Sequence, residues 1–284
     1  MKIAIYGSRH QDAYLDILRD FLLQLARENA EVVMHPKLYN YLIRCIPGAM
    51  ASVRRVMEQL DCNVDLVLSI GGDGTFLRTV QWTDSRPLPI LGVNTGHLGF
   101  LTAIGIDELP QLLDEYRAGA FISEQRSLLQ VVEPQLPFCK YALNEITVAK
   151  DANASMIRAC THVDGHRLCD YRADGLIVAT PTGSTAYAMS VGGPIIAPDT
   201  PAFVLAPIAA HSLSMRPLVV GDASRIDIEV QGRADRFRLS VDGRSVSLAM
   251  GTGISVVKAP YTVSVLRHRD RGFAAVLNSK LGWE

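Results

Sequence analysis

Apolar residues in roughly the first 120 positions fall into short unbroken runs separated by stretches of helical period; later they mostly alternate with polar ones. Lys2 to Tyr6 reads as a first strand closed by Gly7. From Asp12 to Asn29, Leu15, Ile17, Leu18, Leu22, Leu25 and Ala26 recur at helical spacing, with Asp12 placed to cap. Glu31 to His35 is a second strand, and Pro36 to Pro47 has no clear period and is taken as loop or broken helix. Ala51 to Leu60 looks helical, and Asp65 to Ile70 is a buried strand. Phe76 to Trp82 then predicts a short helix, Pro89 to Val93 a strand, and Asp107 to Arg117 a helix with Leu109, Leu112, Leu113 and Tyr116 on one side. Strands alternating with helices imply a parallel sheet, which binds ligands beyond the C-terminal ends of its strands.

Past about Ser123 the β-branched or alternating runs are Leu128 to Val132, Tyr141 to Ala149, Ser155 to Val163, Gly175 to Ala179, Arg225 to Val230, Phe237 to Val241 and Tyr261 to Leu266. Asp164-Gly165 and Asp242-Gly243 lie between such runs and read as hairpin turns. The pattern divides the chain into an α/β domain over residues 1–120 and a β-rich domain over residues 121–271, with residues 272–284 a candidate for return to the first domain. No low-complexity linker separates the two, so close packing with a ligand cleft between them is expected.

Composition narrows the class of partner. The 284 residues are 48% hydrophobic, with a net charge of −1. Such a balance argues against a nucleic-acid partner or a polybasic membrane module, and leaves a small molecule. The five cysteines, Cys45, Cys62, Cys139, Cys160 and Cys169, include no Cys-x-x-Cys pair, which suggests a reducing compartment and neither a disulfide framework nor a zinc site. Met1 to Gly7 is too short an apolar run for a signal peptide and no stretch reaches a membrane span, so a cytoplasmic location is expected.

The candidate chemistry begins at Gly71-Gly72-Asp73-Gly74-Thr75, a glycine-rich loop between a strand and a helix. Glycines let a ligand approach the backbone and a helix start offers N–H groups to an anion, so the loop could hold a phosphate. Asp73 could take a proton from an attacking hydroxyl or hold a divalent cation; a tight turn is the competing explanation. Asn144-Glu145 places an amide and a carboxylate in an apolar strand. Residues Arg172 to Pro194 run from a strand into a hydroxyl-rich turn bearing Tyr187, whose ring could stack on a base. That turn is neither a Walker A loop, lacking Gly-Lys-Ser/Thr, nor a Gly-x-Ser-x-Gly elbow. His211 to Leu218 suggests an interface or a satisfied core histidine.

Taken together, Gly71-Gly72-Asp73-Gly74-Thr75, Gly92-Val93-Asn94-x-Gly96-x-Leu98-Gly99-Phe100-Leu101, Leu143-Asn144-Glu145, Asp174-Gly175-Leu176-Ile177 with Thr180 to Tyr187, and His211-Ser212-Leu213-Ser214-x-Arg216-Pro217 resemble the bacterial NAD kinase family. The resemblance runs in the family's order from about residue 65 to about residue 245. It implies a Rossmann-like α/β N-terminal domain, a β-rich C-terminal domain, and transfer of the ATP γ-phosphoryl group to the 2′-hydroxyl of the adenosine ribose of NAD. Asp73 matches the catalytic aspartate, and Gly74 and Arg78 match positions facing the nucleotide and its phosphates. Phe100 joins these contacts, Asn144 and Glu145 match a ribose-binding pair, and Asp174 matches a carboxylate on a polar edge of the dinucleotide. Thr185, Ala186, Tyr187, Ala188, Met189 and Ser190 match the nucleotide-binding turn, with Arg172 and Asp242 as weaker matches. The resemblance implies Mg²⁺ brought with ATP, no dedicated protein metal cluster, and assembly as a homodimer or homotetramer. A lipid or sugar kinase would share the Gly-Gly-Asp-Gly core but not the Thr185 to Ser190 turn. A non-catalytic NAD(P) sensor would have no use for Asp73 and Arg78.

Overall fold

In the computed structural model, which describes residues 1–8, 11–83, 86–96, 99–151 and 154–283, the unbroken apolar runs of the first part become parallel strands. The chain forms two units, Met1–Gln125 with Val263–Glu284, and Arg126–Thr262.

The first unit contains β1 (Lys2–Gly7), α1 (Leu15–Arg27), β2 (Glu31–Met34), α2 (Pro36–Cys45), β3 (Val53–Val56), β4 (Leu66–Ile70), α3 (Asp73–Thr83), β5 (Pro89–Asn94), β6 (Ile104–Gly105) and α4 (Leu112–Arg117). Its strands pair in parallel in the order β5-β4-β1-β2-β3. Every residue of β4 is buried, as expected of a central strand covered on both faces. Helix α1 buries Leu18, Phe21, Leu22 and Leu25 against this sheet, a spacing that keeps one face apolar.

Three local expectations differ from the structure. Pro36 to Pro47 mostly forms a helix, α2, started by Pro36 and by the His35 side chain, which accepts from the Lys37 N–H at 3.2 Å. Leu38 and Leu42 are buried along it, and Tyr39, Tyr41 and Ile43, partly buried, pack against the same core; these neighbouring apolar residues blur the period in the sequence. Ala51 to Leu60 is not helical: a 3₁₀ turn, Pro47–Ser52, leads into β3, an edge strand whose Arg54, Arg55 and Val56 are exposed. Asp12 does not cap α1, which begins without a side-chain cap; Asp12 accepts a hydrogen bond from the Tyr41 hydroxyl instead.

The chain leaves the first unit along β7 (Phe121–Glu133) and continues through β8 (Tyr141–Ala142), β9 (Glu145–Lys150), β10 (Ile157–Val163), β11 (His166–Ala173), β12 (Gly175–Ala179), α5 (Tyr187–Ser190), β13 (Ala202–Ile208), β14 (Leu218–Gly221), β15 (Ile226–Gln231), β16 (Arg236–Val241) and β17 (Arg244–Ala249). One antiparallel sheet of this second unit runs β14-β13-β12-β9-β16-β17. Asp164-Gly165 and Asp242-Gly243 both have positive φ, at 51°, 77°, 43° and 79° respectively, and close the β10–β11 and β16–β17 hairpins. The final strand, β18 (Gly253–His268), pairs antiparallel with β15 through Gly253 to Val256. From Ser264 to Leu266 it lies parallel beside β5, and α6 (Phe273–Leu281) follows. The return to the first unit therefore begins at Val263, before Gly272. No helix among the described residues is long and apolar enough to cross a membrane.

Candidate active site

Both glycine loops of the first unit leave the C-terminal ends of neighbouring parallel strands, β4 and β5. That is where open parallel sheets gather functional groups. After β4 the Gly72 carbonyl accepts the N–H groups of Thr75 and Phe76, so the helix starts at once with Asp73 as its first residue. Thr79 donates to the Ser69 hydroxyl at 2.9 Å and ties α3 back to β4. The Asp73 carboxylate faces the second loop. Its Oδ2 accepts the Phe100 N–H at 3.0 Å and its Oδ1 the Leu101 N–H at 3.1 Å. The approach requires glycine at position 99, where a Cβ would lie 1.9 Å from Asp73 Oδ1. Gly74 and Arg78 are exposed one helical turn apart, and the Arg78 guanidinium donates to Thr75 Oγ1 at 3.2 Å. Asn94 closes the second loop by exchanging hydrogen bonds with Gly96. The Leu98 of that motif lies outside the described residues.

In the second unit the structure gathers Asn144, Glu145, Asp242 and the turn before Tyr187. Chain kinking between β8 and β9 turns the N–H groups of Leu143, Asn144 and Glu145 toward the Asp242 carboxylate, at 2.7, 3.0 and 3.0 Å. The Asn144 carbonyl accepts from the Thr180 N–H at 2.9 Å. Gly183 presses against the same carbonyl so closely that a Cβ would lie 2.1 Å from it. Glu145 receives the Tyr187 N–H. Burial, with the neighbouring Asp242 charge adding to it, pushes the Glu145 carboxyl up to about 7; burial pushes Asp242 up to about 6 against its three N–H bonds. Two buried oxygens in this cluster, Asn144 Oδ1 and Glu145 Oε2, have no hydrogen-bond partner. Buried polar atoms are ordinarily paired, so these two mark where a polar ligand would be received.

The hydroxyls of the turn donate to carbonyls of the chain itself. Thr180 donates to the Leu143 carbonyl, Ser184 to the Pro181 carbonyl at 2.6 Å, Thr185 to the Thr182 carbonyl at 3.2 Å and Ser190 to the Tyr187 carbonyl at 2.8 Å. They fix the backbone. Ala188 is fully buried, Ala186 and Met189 are half-buried, and Tyr187 keeps 45% of its surface exposed.

Arg172 and Asp174 do not join this cluster. Ala179 pairs with Glu145 at one end of β12, whereas Asp174 adjoins the other end, about 17 Å away at strand rise. Asp174 pairs with Lys150 at 2.9 Å. Arg172 is exposed beside a cavity of about 440 Å³ that also has Arg158, Gln231 and Arg233 in its wall. His211 is exposed and is not a core histidine, and Leu213 beside it is 95% exposed. Sequence reasoning assigned no role to Gly99, Gly183 or Thr180, and its weak reading of Asp242 as a nucleotide contact missed the three N–H bonds.

Residues 12–121 match the family described as ATP-NAD kinase N-terminal domain, and residues 143–268 the one described as ATP-NAD kinase C-terminal domain. The chain is 42% identical over 282 residues to an NAD kinase of Porphyromonas gingivalis, an alignment covering 99% of this chain and 98% of that protein. An NAD kinase of Bacteroides fragilis is 35% identical over 285 residues, covering 100% of this chain and 98% of that one. Among solved structures, an NAD kinase from Archaeoglobus fulgidus in complex with ATP is 26% identical with a TM-score of 0.75, covering 100% of both chains. A yeast NADH kinase complexed with NADH shares the fold, with a TM-score of 0.88 at 24% identity, covering 100% of this chain and 88% of that one.

Proposed function

This chain belongs to the ATP-NAD kinase family, and from that premise we propose that it transfers the γ-phosphoryl group of MgATP to the 2′-hydroxyl of the adenosine ribose of NAD, with Asp73 as general base. The observation that carries the reading is the Asp73 carboxylate, which backbone N–H groups of Phe100 and Leu101 hold by both oxygens. A secondary hydroxyl is a poor nucleophile, and a carboxylate within hydrogen-bond reach can take its proton as it attacks. An ionised carboxylate has about four acceptor positions, so two N–H bonds orient Asp73 and leave it able to receive that proton. The ribose oxygen bonds to the γ-phosphorus as the bond from phosphorus to the β–γ bridging oxygen breaks, and ADP departs with the electron pair. Mg²⁺ enters as part of the MgATP substrate and neutralises the triphosphate. Gly74 leaves the backbone open to the phosphates and Arg78 offers them a cation.

The acceptor falls to the second unit. Asn144 Oδ1 and Glu145 Oε2 take hydrogen bonds from a ribose, and Tyr187 stacks on a base within the Thr185 to Ser190 turn. Arg172 and Asp174 serve a more distant part of the dinucleotide. Self-association as a homodimer or homotetramer belongs to the same proposal, and light scattering on the full chain reads it. Incubation with NAD, ATP and Mg²⁺ is expected to yield one NADP for each ADP; ADP release without NADP would overturn the assignment.

A pH dependence follows from Glu145. As a carboxylate it accepts ribose hydroxyls; protonated it loses part of that capacity, and its burial beside Asp242 puts the change at about 7. The KM for NAD is therefore expected to fall as pH rises through that value and to level off above it, while Glu145→Gln has a higher KM without the step. Steady-state kinetics from about pH 6 to about pH 8 check this; a flat KM in the unaltered chain contradicts it.

A further inference from the structure

Asp242 lies in the turn joining β16 to β17, 97 residues from Glu145 in sequence. Its carboxylate is taken up by the chain: Oδ2 accepts the Leu143 N–H, Oδ1 accepts those of Asn144 and Glu145, and its own N–H donates to the Glu145 carbonyl at 3.1 Å. Successive N–H groups turned to one side make a concavity suited to an anion, and here the anion belongs to the protein itself. The Asn144 carbonyl is held from the other side by Thr180, with Gly183 against it. Every backbone polar group of Asn144 is thus engaged while its side-chain oxygen, like Glu145 Oε2, has no partner. A stretch fixed so fully in its backbone presents its side chains in one arrangement.

We propose that Asp242 is the positioning residue of the acceptor site: without touching substrate, it sets the backbone of Leu143 to Glu145 so that Asn144 and Glu145 receive the NAD ribose together. The proposal rests on the reading of Asn144 and Glu145 as ribose partners. Asp242 also acts on Glu145 by its charge. Around Glu145, β12 contributes Ala179 opposite it, the first residue of α5 contributes the Tyr187 N–H, and among the described residues Asp242 is the charged group whose field reaches it.

Asp242→Asn tests this in the full chain, because Asn-Gly suits a turn with two positive φ values and keeps the hairpin. The amide cannot accept with both atoms, so at least one N–H bond and the charge are lost. The KM for NAD is expected to rise about ten-fold while the KM for ATP stays within about two-fold. The acid limb of kcat/KM for NAD moves to lower pH, since removing a neighbouring negative charge lets Glu145 stay ionised further into acid. Asp242→Gly, which also suits the turn, is the second variant should the first fold poorly. Unchanged KM for NAD and an unshifted acid limb overturn the proposal, as does an equal rise in both KM values with a lowered melting temperature, the mark of a merely structural role. Asn144→Ala separates the two levels: if it raises the KM for NAD and neither Asp242 variant does, only the positioning role fails; if it has no effect, the ribose reading fails.

Discussion

Gly99→Ala is expected to lower turnover at least about a hundred-fold in a chain that still folds and still binds NAD, because a misplacement of about 1 Å at the reacting groups costs that much. The added Cβ would lie 1.9 Å from Oδ1, 2.6 Å from Cγ and 2.9 Å from Oδ2 of Asp73. Rotation about the Cβ–Cγ bond does not relieve this, since Cγ lies on the axis and stays at 2.6 Å. Either the Phe100-Leu101 loop or the carboxylate must move, and with it the two hydrogen bonds that orient Asp73. Asn144, Glu145 and Asp242 have their own backbone ties in the second unit, so calorimetric affinity for NAD is expected to stay within about three-fold. Gly48→Ala, where nothing lies near the added atom, is the matching control. Normal turnover in the Gly99 variant would mean that the clamp on Asp73 has no part in the reaction.

That clamp shows where sequence reading stops. Strands β4 and β5 are legible because they are buried on both faces and leave unbroken apolar runs. The hairpins at Asp164-Gly165 and Asp242-Gly243 are legible because only a few residue types accept positive φ. Helix α2 was hidden because Tyr39, Tyr41 and Ile43 crowd around Leu38 and Leu42 and blur its period, and β3 by its exposed arginines. Exposed or polar β11 and β17 lack a clean alternation, and β13 carries an internal proline, Pro207. Periodicity also cannot say which sheet a strand enters: Tyr261 to Leu266 looked like one more hairpin strand, yet Ser264 to Leu266 pair with β5. The glycine loop, Asn144-Glu145 and the Tyr187 turn could be picked out one by one as chemistry. What holds each in place could not, because within the first unit Asp73 meets Phe100 across 27 residues and within the second Asp242 meets Asn144 across 98. Gly99 and Gly183 read as loop punctuation until the carboxylate and the carbonyl packed against them are seen.

Asp73→Asn is expected to have the largest effect of all on the chemical step. An amide cannot take the proton of the 2′-hydroxyl, and a positioned general base contributes about 10² to 10⁴ in rate. The replacement is close in shape and can still accept one of the two N–H groups from Phe100 and Leu101, so the loop loses at most part of its hold. Removing an interaction made only in the transition state lowers kcat and kcat/KM together and leaves substrate binding largely intact. The decisive measurement is a rapid-quench single turnover of NAD with excess MgATP, the unaltered chain beside the Asp73→Asn variant, with NAD affinity of both taken by calorimetry. NADP formation is expected to slow by about a thousand-fold with NAD affinity within about three-fold; NADP formed within about ten-fold of the unaltered rate would contradict the assignment of Asp73 as the base.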